Sequence, residues 1–188
     1  MPSTKQSLNN FETLQEEALD WEGFKTQIQS SLDKYFLDHG ARAQKYSPAF
    51  AQLWASMSQA TRGGKWMRPR LVFLTYSAFG GIDHQACGDL AAAFEILHAA
   101  LLVHDDVIDR DFVRRGAATL GAEYRDKAAG LGHTAEDADH AGYAAAIIAG
   151  DLLLTGSLRM ATAAALGHPH SGTILETMHE AIFASAAG

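Results

Sequence analysis

The pattern of apolar and polar positions is helical along most of the chain. Between Leu90 and Ile108, apolar residues recur at steps of three and four, which is the spacing of one helix face. No stretch keeps the strict alternation of a half-buried strand, and only four prolines interrupt the 188 residues. The pattern therefore predicts an all-α protein.

The apolar stripes and the residues that break them predict a series of helices in a single domain. Residues 1–10 are polar and are expected to be disordered, whereas 11–188 are expected to fold. A near-heptad stripe from Phe11 predicts a first helix that ends near Gly40, since glycine is favoured just after a helix end. Further helices are predicted from Pro48 to just before Thr61, from Arg70 to Phe79, from an Asp83 cap to the aspartates described next, from Ala118 to Ala129, from Thr134 to about Leu166 and from Thr173 onward, with a loop at 110–118.

Three aspartates stand at the end of the most apolar of these helices. At 100° per residue, His98, Asp105 and Asp109 lie on one stripe, and Asp106 lies beside it. Like charges one turn apart repel each other, and burial would raise the cost. A hard divalent cation such as Mg²⁺ removes this conflict. A solvated, charged surface turn is the alternative interpretation of such a cluster on its own.

Basic residues lie on both sides of the aspartates in the sequence. Arg114 and Arg115 follow within one short segment, and GGKWMRPR precedes at 63–70. The glycine pair lets the backbone approach a ligand closely, while Lys65 and Arg68 supply a point charge and a bidentate fork for phosphate. An acidic metal site and a basic phosphate site together predict binding of a metal-bound diphosphate.

These two segments resemble the trans-isoprenyl diphosphate synthases, the polyprenyl synthetase family. GGKWMRP resembles the family's GGKxxRP motif, and LHAALLVHDDVIDRDFVRRG resembles its first aspartate-rich region. A looser resemblance extends from about residue 20 to the end of the chain. It implies an antiparallel helical bundle of the isoprenoid synthase type, with Mg²⁺ as cofactor and a homodimer at full length. The implied activity is head-to-tail condensation of isopentenyl diphosphate with an allylic prenyl diphosphate.

The resemblance also assigns roles to individual residues. Asp105 and Asp109 would hold Mg²⁺, Asp106 would belong to the catalytic group, and Arg114 would hold the allylic diphosphate. Trp66 stands where the family often carries a further arginine, so one positive charge is missing. Isopentenyl diphosphate would be bound by Lys65, Arg68, His98 and Arg115.

The same resemblance assigns roles to residues at three more positions. Asp151 would support the metal cluster through water, with a structural salt bridge as the alternative. In the family, bulky aromatics just before the first aspartate stop chain elongation early. Ala100 and Leu101 occupy those positions and are not aromatic, so products longer than farnesyl are expected, geranylgeranyl first.

Composition limits the alternatives. A net charge of −7 argues against nucleic acid as a partner, and the single cysteine, Cys87, excludes a disulfide framework. No signal peptide is visible, so a cytoplasmic location is expected. The most apolar run, 143–154, is shorter than the roughly 20 residues that a transmembrane helix needs, so no transmembrane segment is expected.

Part of the family pattern has no counterpart in these 188 residues. The family continues with a Gly-Gln-x-x-Asp segment, a Lys-Thr pair and a second DDxxD, none of which occurs here. A C-terminally truncated copy or fragment with little activity of its own is therefore expected. The alternative is a non-catalytic partner subunit of a full-length synthase. A phosphohydrolase built on His104 and Asp105 is disfavoured, because it leaves GGKWMRP unexplained.

Overall fold

The computed structural model describes residues 21–62 and 64–187. It confirms an all-α fold, to which a short antiparallel hairpin of two strands is added. The predicted disorder of 1–10 and the predicted start of the first helix at Phe11 lie outside the described residues. The elements are α1 (Trp21–Gln44), α2 (Pro48–Ala60), α3 (Met67–Ala78), α4 (His84–Ile108), β1 (Val113–Arg114), β2 (Ala117–Ala118), α5 (Leu120–Gly130), α6 (Ala135–Ala165) and α7 (Ser171–Ala186).

The bundle is organised around α4 and α6, which pack against each other. Helices α1 and α3 also pack against α4, while α2, α5 and α7 pack against α6. Small residues make the central contact close, because Ala92 and Ala99 of α4 and Ala149 of α6 are buried in the same core cluster. This packing holds the carboxyl end of α4, which carries the aspartates, in a fixed position.

Three helix starts were predicted correctly, because the capping residues are present in the sequence. The side chains of Ser47, Asp83 and Thr134 each accept a hydrogen bond from a backbone N–H in the first turn, at 3.1, 3.0 and 3.1 Å. These bonds satisfy donors that have no partner inside the helix.

Several other boundaries were wrong. Helix α1 continues through Gly40 to Gln44, since the turn beyond the glycine buries Ala43 in the core. Helix α3 begins at Met67 rather than Arg70, because Trp66 is buried in a left-handed conformation (φ 47°) just before it. Pro69 is tolerated in the first turn, where no intrahelical N–H is needed. Helix α5 begins at Leu120 instead of Ala118, and α7 at Ser171 instead of Thr173.

The most apolar run of the sequence lies within a longer helix. The run 143–154 is part of α6, which has 31 residues, and both α4 and α6 are long and apolar enough to cross a bilayer by length and composition. Core helices of globular proteins meet the same criterion. Of the most apolar 18-residue segment of each helix, 61% is buried inside the bundle in α4 and 39% in α6.

Candidate active site

The three aspartates of α4 lie in two different environments. Asp106 is buried, whereas the Asp105 side chain is 60% exposed and Asp109 is exposed at the helix end. Asp105 and Asp109 are one turn apart, so both carboxylates are open to solvent at the same end of α4. Asp106 points into the protein.

The hairpin that follows α4 reverses the chain and places Arg114 close to the aspartates. Strands β1 and β2 are joined by a turn in which Arg115 and Gly116 both have positive φ, 53° and 79°. Arg114 Nε donates a hydrogen bond of 2.6 Å to Asp106 Oδ1, and its Nη2 lies 4.0 Å from Asp105 Oδ2. One guanidinium group therefore contacts the buried carboxylate and approaches the exposed one.

Burial and hydrogen bonding shift the pKa of Asp106 in opposite directions. Burial raises the pKa of Asp106, and Arg114 opposes this rise without cancelling it, while Asp111 and Asp105 add to it. The hydrogen bond to Asp106 raises the pKa of Arg114. The short bond is a formed, charge-assisted contact, and it orients Arg114 despite the cost of burying the carboxylate.

The hairpin is anchored by an aromatic residue that sequence reasoning missed. Phe112 stacks on Tyr143 of α6 with ring centroids 4.9 Å apart, and the Arg125 guanidinium lies 4.2 Å from the Phe112 ring. Gly121 and Gly142 let α5 and α6 approach beneath it, since a Cβ at Gly142 would lie 2.6 Å from the Gly121 carbonyl oxygen. A lone phenylalanine in a charged loop was the available signal.

Three of the arginines predicted to bind diphosphate act electrostatically on His98. Burial lowers the pKa of His98, and the charges of Arg68, Arg115 and Arg114 lower it further, in that order. These arginines come from α3 and from the hairpin, so the fold brings separate segments to one place. Lys65 is exposed on the loop before α3 and makes no hydrogen bond or ion pair with the residues that the structure describes.

Glu95 is a second residue that sequence reasoning left without a role. It lies one turn before His98 on α4 and is 8% exposed. Burial raises the pKa of its carboxyl group, and the charge of Arg68 opposes the rise. The charge of Arg68 therefore acts on both Glu95 and His98. A glutamate among apolar residues in the middle of a helix was the signal.

Asp151 contacts His104, and this contact is a salt bridge when the imidazole is protonated. His104 Nε2 lies 3.4 Å from Asp151 Oδ1. Gly150 makes room for the imidazole, because a Cβ there would overlap the same nitrogen. The contact ties α6 to α4 directly beside Asp105, so it can position that carboxylate through the helix backbone.

The two positions predicted to control product length are in different surroundings. Ala100 is fully buried in the main core cluster. Leu101 is half-buried and packs against a second cluster, formed by Ala93, Leu97, Ala161 and Met178 from α4, α6 and α7. Of the two side chains, that of Leu101 is the one partly exposed to solvent.

The donor set fits a hard divalent cation. Asp105 and Asp109 offer two exposed carboxylates, and Mg²⁺ is typically held by one or two carboxylates together with substrate phosphates. Within 21–62 and 64–187, the group of three closely spaced potential ligands is Glu176, His179 and Glu180 on the surface of α7. Helical spacing alone brings those three together.

Comparison with known proteins extends these observations. Residues 51–188 match the family model of polyprenyl synthetase. The chain is 36% identical over 122 residues to the geranylgeranyl diphosphate synthase of Sulfolobus acidocaldarius, covering 65% of this chain and 31% of that protein. It is 35% identical over 126 residues to the octaprenyl diphosphate synthase of Escherichia coli, covering 67% and 32%. The chain thus spans about a third of the length of these relatives.

A solved structure agrees on the fold. The geranylgeranyl pyrophosphate synthase of Corynebacterium glutamicum, crystallised with isoprenyl diphosphate and magnesium, matches with a TM-score of 0.71 and 24% identity. The match covers 80% of this chain and 43% of that one. Since the family model covers residues 51–188, including both motifs, the chain belongs to the polyprenyl synthetase family.

Proposed function

We propose that this chain carries the first aspartate-rich half of a trans-prenyltransferase site, which binds an allylic diphosphate with Mg²⁺ and isopentenyl diphosphate beside it. The observation that carries the proposal is the position of Arg114, which donates a hydrogen bond to Asp106 and lies 4.0 Å from the exposed carboxylate of Asp105. The positive charges of Arg68 and Arg115 also act on His98, which lies on the same face of α4 as Asp105. A net charge of −7 makes such a concentration of arginines unusual for this chain. It suits a diphosphate whose charge the metal only partly neutralises.

The aspartates and Arg114 would act on the allylic substrate. Asp105 and Asp109 would hold Mg²⁺, which when bound neutralises the diphosphate leaving group. Arg114, already within 4.0 Å of Asp105, would donate to the same diphosphate. Asp106 fixes the direction of Arg114 through the 2.6 Å hydrogen bond, so the guanidinium is oriented before substrate binds.

The remaining basic residues would bind isopentenyl diphosphate. Lys65, Arg68 and Arg115 would supply charge, and His98, whose pKa is lowered, would bind as a neutral imidazole. In the reaction the allylic C–O bond breaks and diphosphate takes the bonding electrons. The double bond of isopentenyl diphosphate attacks the allylic carbon, and loss of a proton restores a double bond. No protein nucleophile is needed.

The proposed product is geranylgeranyl diphosphate. Neither Ala100 nor Leu101 is aromatic, so by the resemblance neither side chain would stop chain elongation early. We extend the proposal to a homodimer of the full-length protein, as the resemblance implies, and to a cytoplasmic location. These 188 residues are expected to transfer prenyl groups feebly or not at all, because the sequence contains no second DDxxD.

A prenyl-transfer assay tests the proposal. The 188-residue chain is incubated with geranyl diphosphate, isotopically labelled isopentenyl diphosphate and Mg²⁺, and the products are resolved by chain length. Trace product that disappears with EDTA is expected, and any product should be longer than farnesyl. Efficient turnover would contradict the expectation of feeble activity, and turnover that persists in EDTA would contradict the assigned role of Mg²⁺.

A second candidate function is that of a partner subunit without catalysis of its own. It is favoured by an exposed apolar stripe on α3, where Met67, Leu71 and Leu74 are 55%, 59% and 42% exposed at helical spacing. Co-purification with a full-length synthase from the same source would support it. The absence of such a synthase from the purified material would remove it.

A further inference from the structure

A groove between α1, α2 and α6 is not used by the proposed reaction. It encloses about 370 Å³ and shares no residue with the site at the end of α4. Its volume and its aromatic walls are typical of a small-molecule site. We propose that it binds a small amphiphilic anion, a flat apolar body that carries one phosphate or carboxylate group.

The charge of the groove favours an anion. Arg42 of α1 and Arg159 of α6 both line it, and neither forms an ion pair with any described residue. Among the described lining residues none is acidic, although the whole chain has a net charge of −7. These two guanidinium groups, one from α1 and one from α6, are both available to a phosphate or carboxylate bound in the groove.

The walls of the groove favour a flat apolar body. His39 stacks on Trp54 with ring centroids 4.9 Å apart and an interplanar angle of 26°, and it lies 4.3 Å from the Tyr35 ring. Phe50 and Tyr46 extend the aromatic surface toward the opening, with ring centroids 6.3 Å apart. A ring or short hydrocarbon can lie against these faces.

Polar groups inside the groove are fixed in place. His39 Nδ1 lies 2.8 Å from the Tyr35 carbonyl oxygen, so this nitrogen carries the proton and the ring cannot turn freely. The Tyr35 hydroxyl lies against α6 at Gly156, where a Cβ would overlap it. Burial raises the pKa of Tyr35 to about 12, with the nearby Arg159 opposing, so the hydroxyl keeps its proton and can donate to an anion.

The probe for the test is 1-naphthyl phosphate, titrated calorimetrically into the full 188-residue chain. EDTA is present, so that the metal-dependent site at the end of α4 does not contribute. Saturable binding is expected, and neutral 1-naphthol should bind about tenfold more weakly, because it lacks the charge that the arginines recognise. The double variant Arg42→Gln/Arg159→Gln should lower the affinity for 1-naphthyl phosphate by about tenfold or more.

Matched variants distinguish binding in the groove from nonspecific attraction to surface arginines. Arg62→Gln removes an exposed arginine that is paired with Asp33 on a neighbouring surface, and it should leave the affinity unchanged. Gly156→Ala should weaken binding, because the added methyl group displaces the Tyr35 hydroxyl. Circular dichroism checks that each variant is folded. Equal affinity of wild type and the double arginine variant, equal affinity for 1-naphthol, or no saturable binding would each overturn the proposal.

Binding in the groove is independent of the proposed prenyl transfer. Arg68→Gln should leave the binding of 1-naphthyl phosphate unchanged, because Arg68 belongs to the basic site at the end of α4 and does not line the groove. Loss of binding in that variant would show that the probe occupies the site at the end of α4, and it would also overturn the proposal.

Discussion

The carboxyl end of α4 and the groove between α1, α2 and α6 both gather arginines, but they do so in different ways. At the end of α4, Arg114 is bonded to Asp106 and lies near Asp105, and these residues are within ten positions of each other in the sequence. In the groove, Arg42 and Arg159 are more than a hundred positions apart and have no acidic partner among the lining residues that the structure describes. We propose that the first region binds a metal-bound anion and that the second binds an anion without a metal.

The largest expected effect comes from a substitution that disrupts only the site at the end of α4. Asp109→Asn should weaken Mg²⁺-dependent binding of geranyl diphosphate by roughly 10- to 100-fold, because one charged ligand to the metal is lost. Isothermal titration calorimetry in Mg²⁺ measures the change. Asp111→Asn is the matched control, since Asp111 is an exposed carboxylate just beyond α4. An equal loss in both variants would mean that only the total negative charge matters.

A second prediction tests the support behind that region. Gly150→Ala should destabilise the fold by about 1–3 kcal/mol, because the new methyl group overlaps the His104 ring. Urea unfolding followed by circular dichroism measures the change in the free energy of unfolding.

Gly40→Ala is the control for this substitution. Gly40 lies inside α1, and a Cβ there would meet no described atom within 4 Å. It should stabilise the fold by about 0.5–1 kcal/mol, since alanine loses less backbone freedom on folding. If Gly150→Ala and Gly40→Ala both stabilised the fold, the inferred overlap between a methyl group at position 150 and the His104 ring would be wrong.

A third prediction sharpens the role of Arg114. Arg114→Lys keeps the charge but removes the Nε–H that donates to Asp106. Binding of geranyl diphosphate should weaken about fivefold, the effect of losing one hydrogen bond of about 1 kcal/mol. Arg110→Lys, in the same loop, should change little. Unchanged binding by Arg114→Lys would show that charge alone is required.

The smallest expected effect concerns Glu95. Its pKa is raised above the usual 4.5 by burial, so the folded state prefers the protonated form, and wild-type stability should rise as the pH falls through the folded pKa toward 4.5. Glu95→Gln removes this dependence. The variant should be slightly more stable than wild type at pH 7, and the difference should shrink as the pH is lowered.

Urea midpoints of wild type and Glu95→Gln at about pH 7 and about pH 4 measure this difference. Destabilisation by Glu95→Gln at neutral pH would show the reverse balance, in which the attraction between Arg68 and the carboxylate outweighs the cost of burial.

The contrast between the two regions explains what the sequence could predict. Asp105, Asp109 and Arg114 lie in one short segment, so helix periodicity and local spacing were enough to group them. The caps at Ser47, Asp83 and Thr134 are local as well, and the helix starts they mark were correct. By contrast, the end of α1 was misplaced because tertiary burial of the turn after Gly40 outweighs the preference of glycine for helix ends.

Contacts between segments that are distant in the chain could not be predicted from the sequence. The stacking of Phe112 on Tyr143 joins the hairpin to α6, and no local pattern identifies Tyr143 as the residue on which Phe112 stacks. The groove depends on Gly156 admitting the Tyr35 hydroxyl, a contact between residues more than a hundred positions apart. Such contacts become visible only when the packing of the helices is known.

Binding of a diphosphate together with Mg²⁺ at the end of α4 is the central claim. The most direct test is a calorimetric titration of geranyl diphosphate into the wild-type 188-residue chain, once with Mg²⁺ and once with EDTA. We predict saturable binding with Mg²⁺ that is lost in EDTA. Binding of equal strength in both conditions, or no binding in either, would contradict the claim.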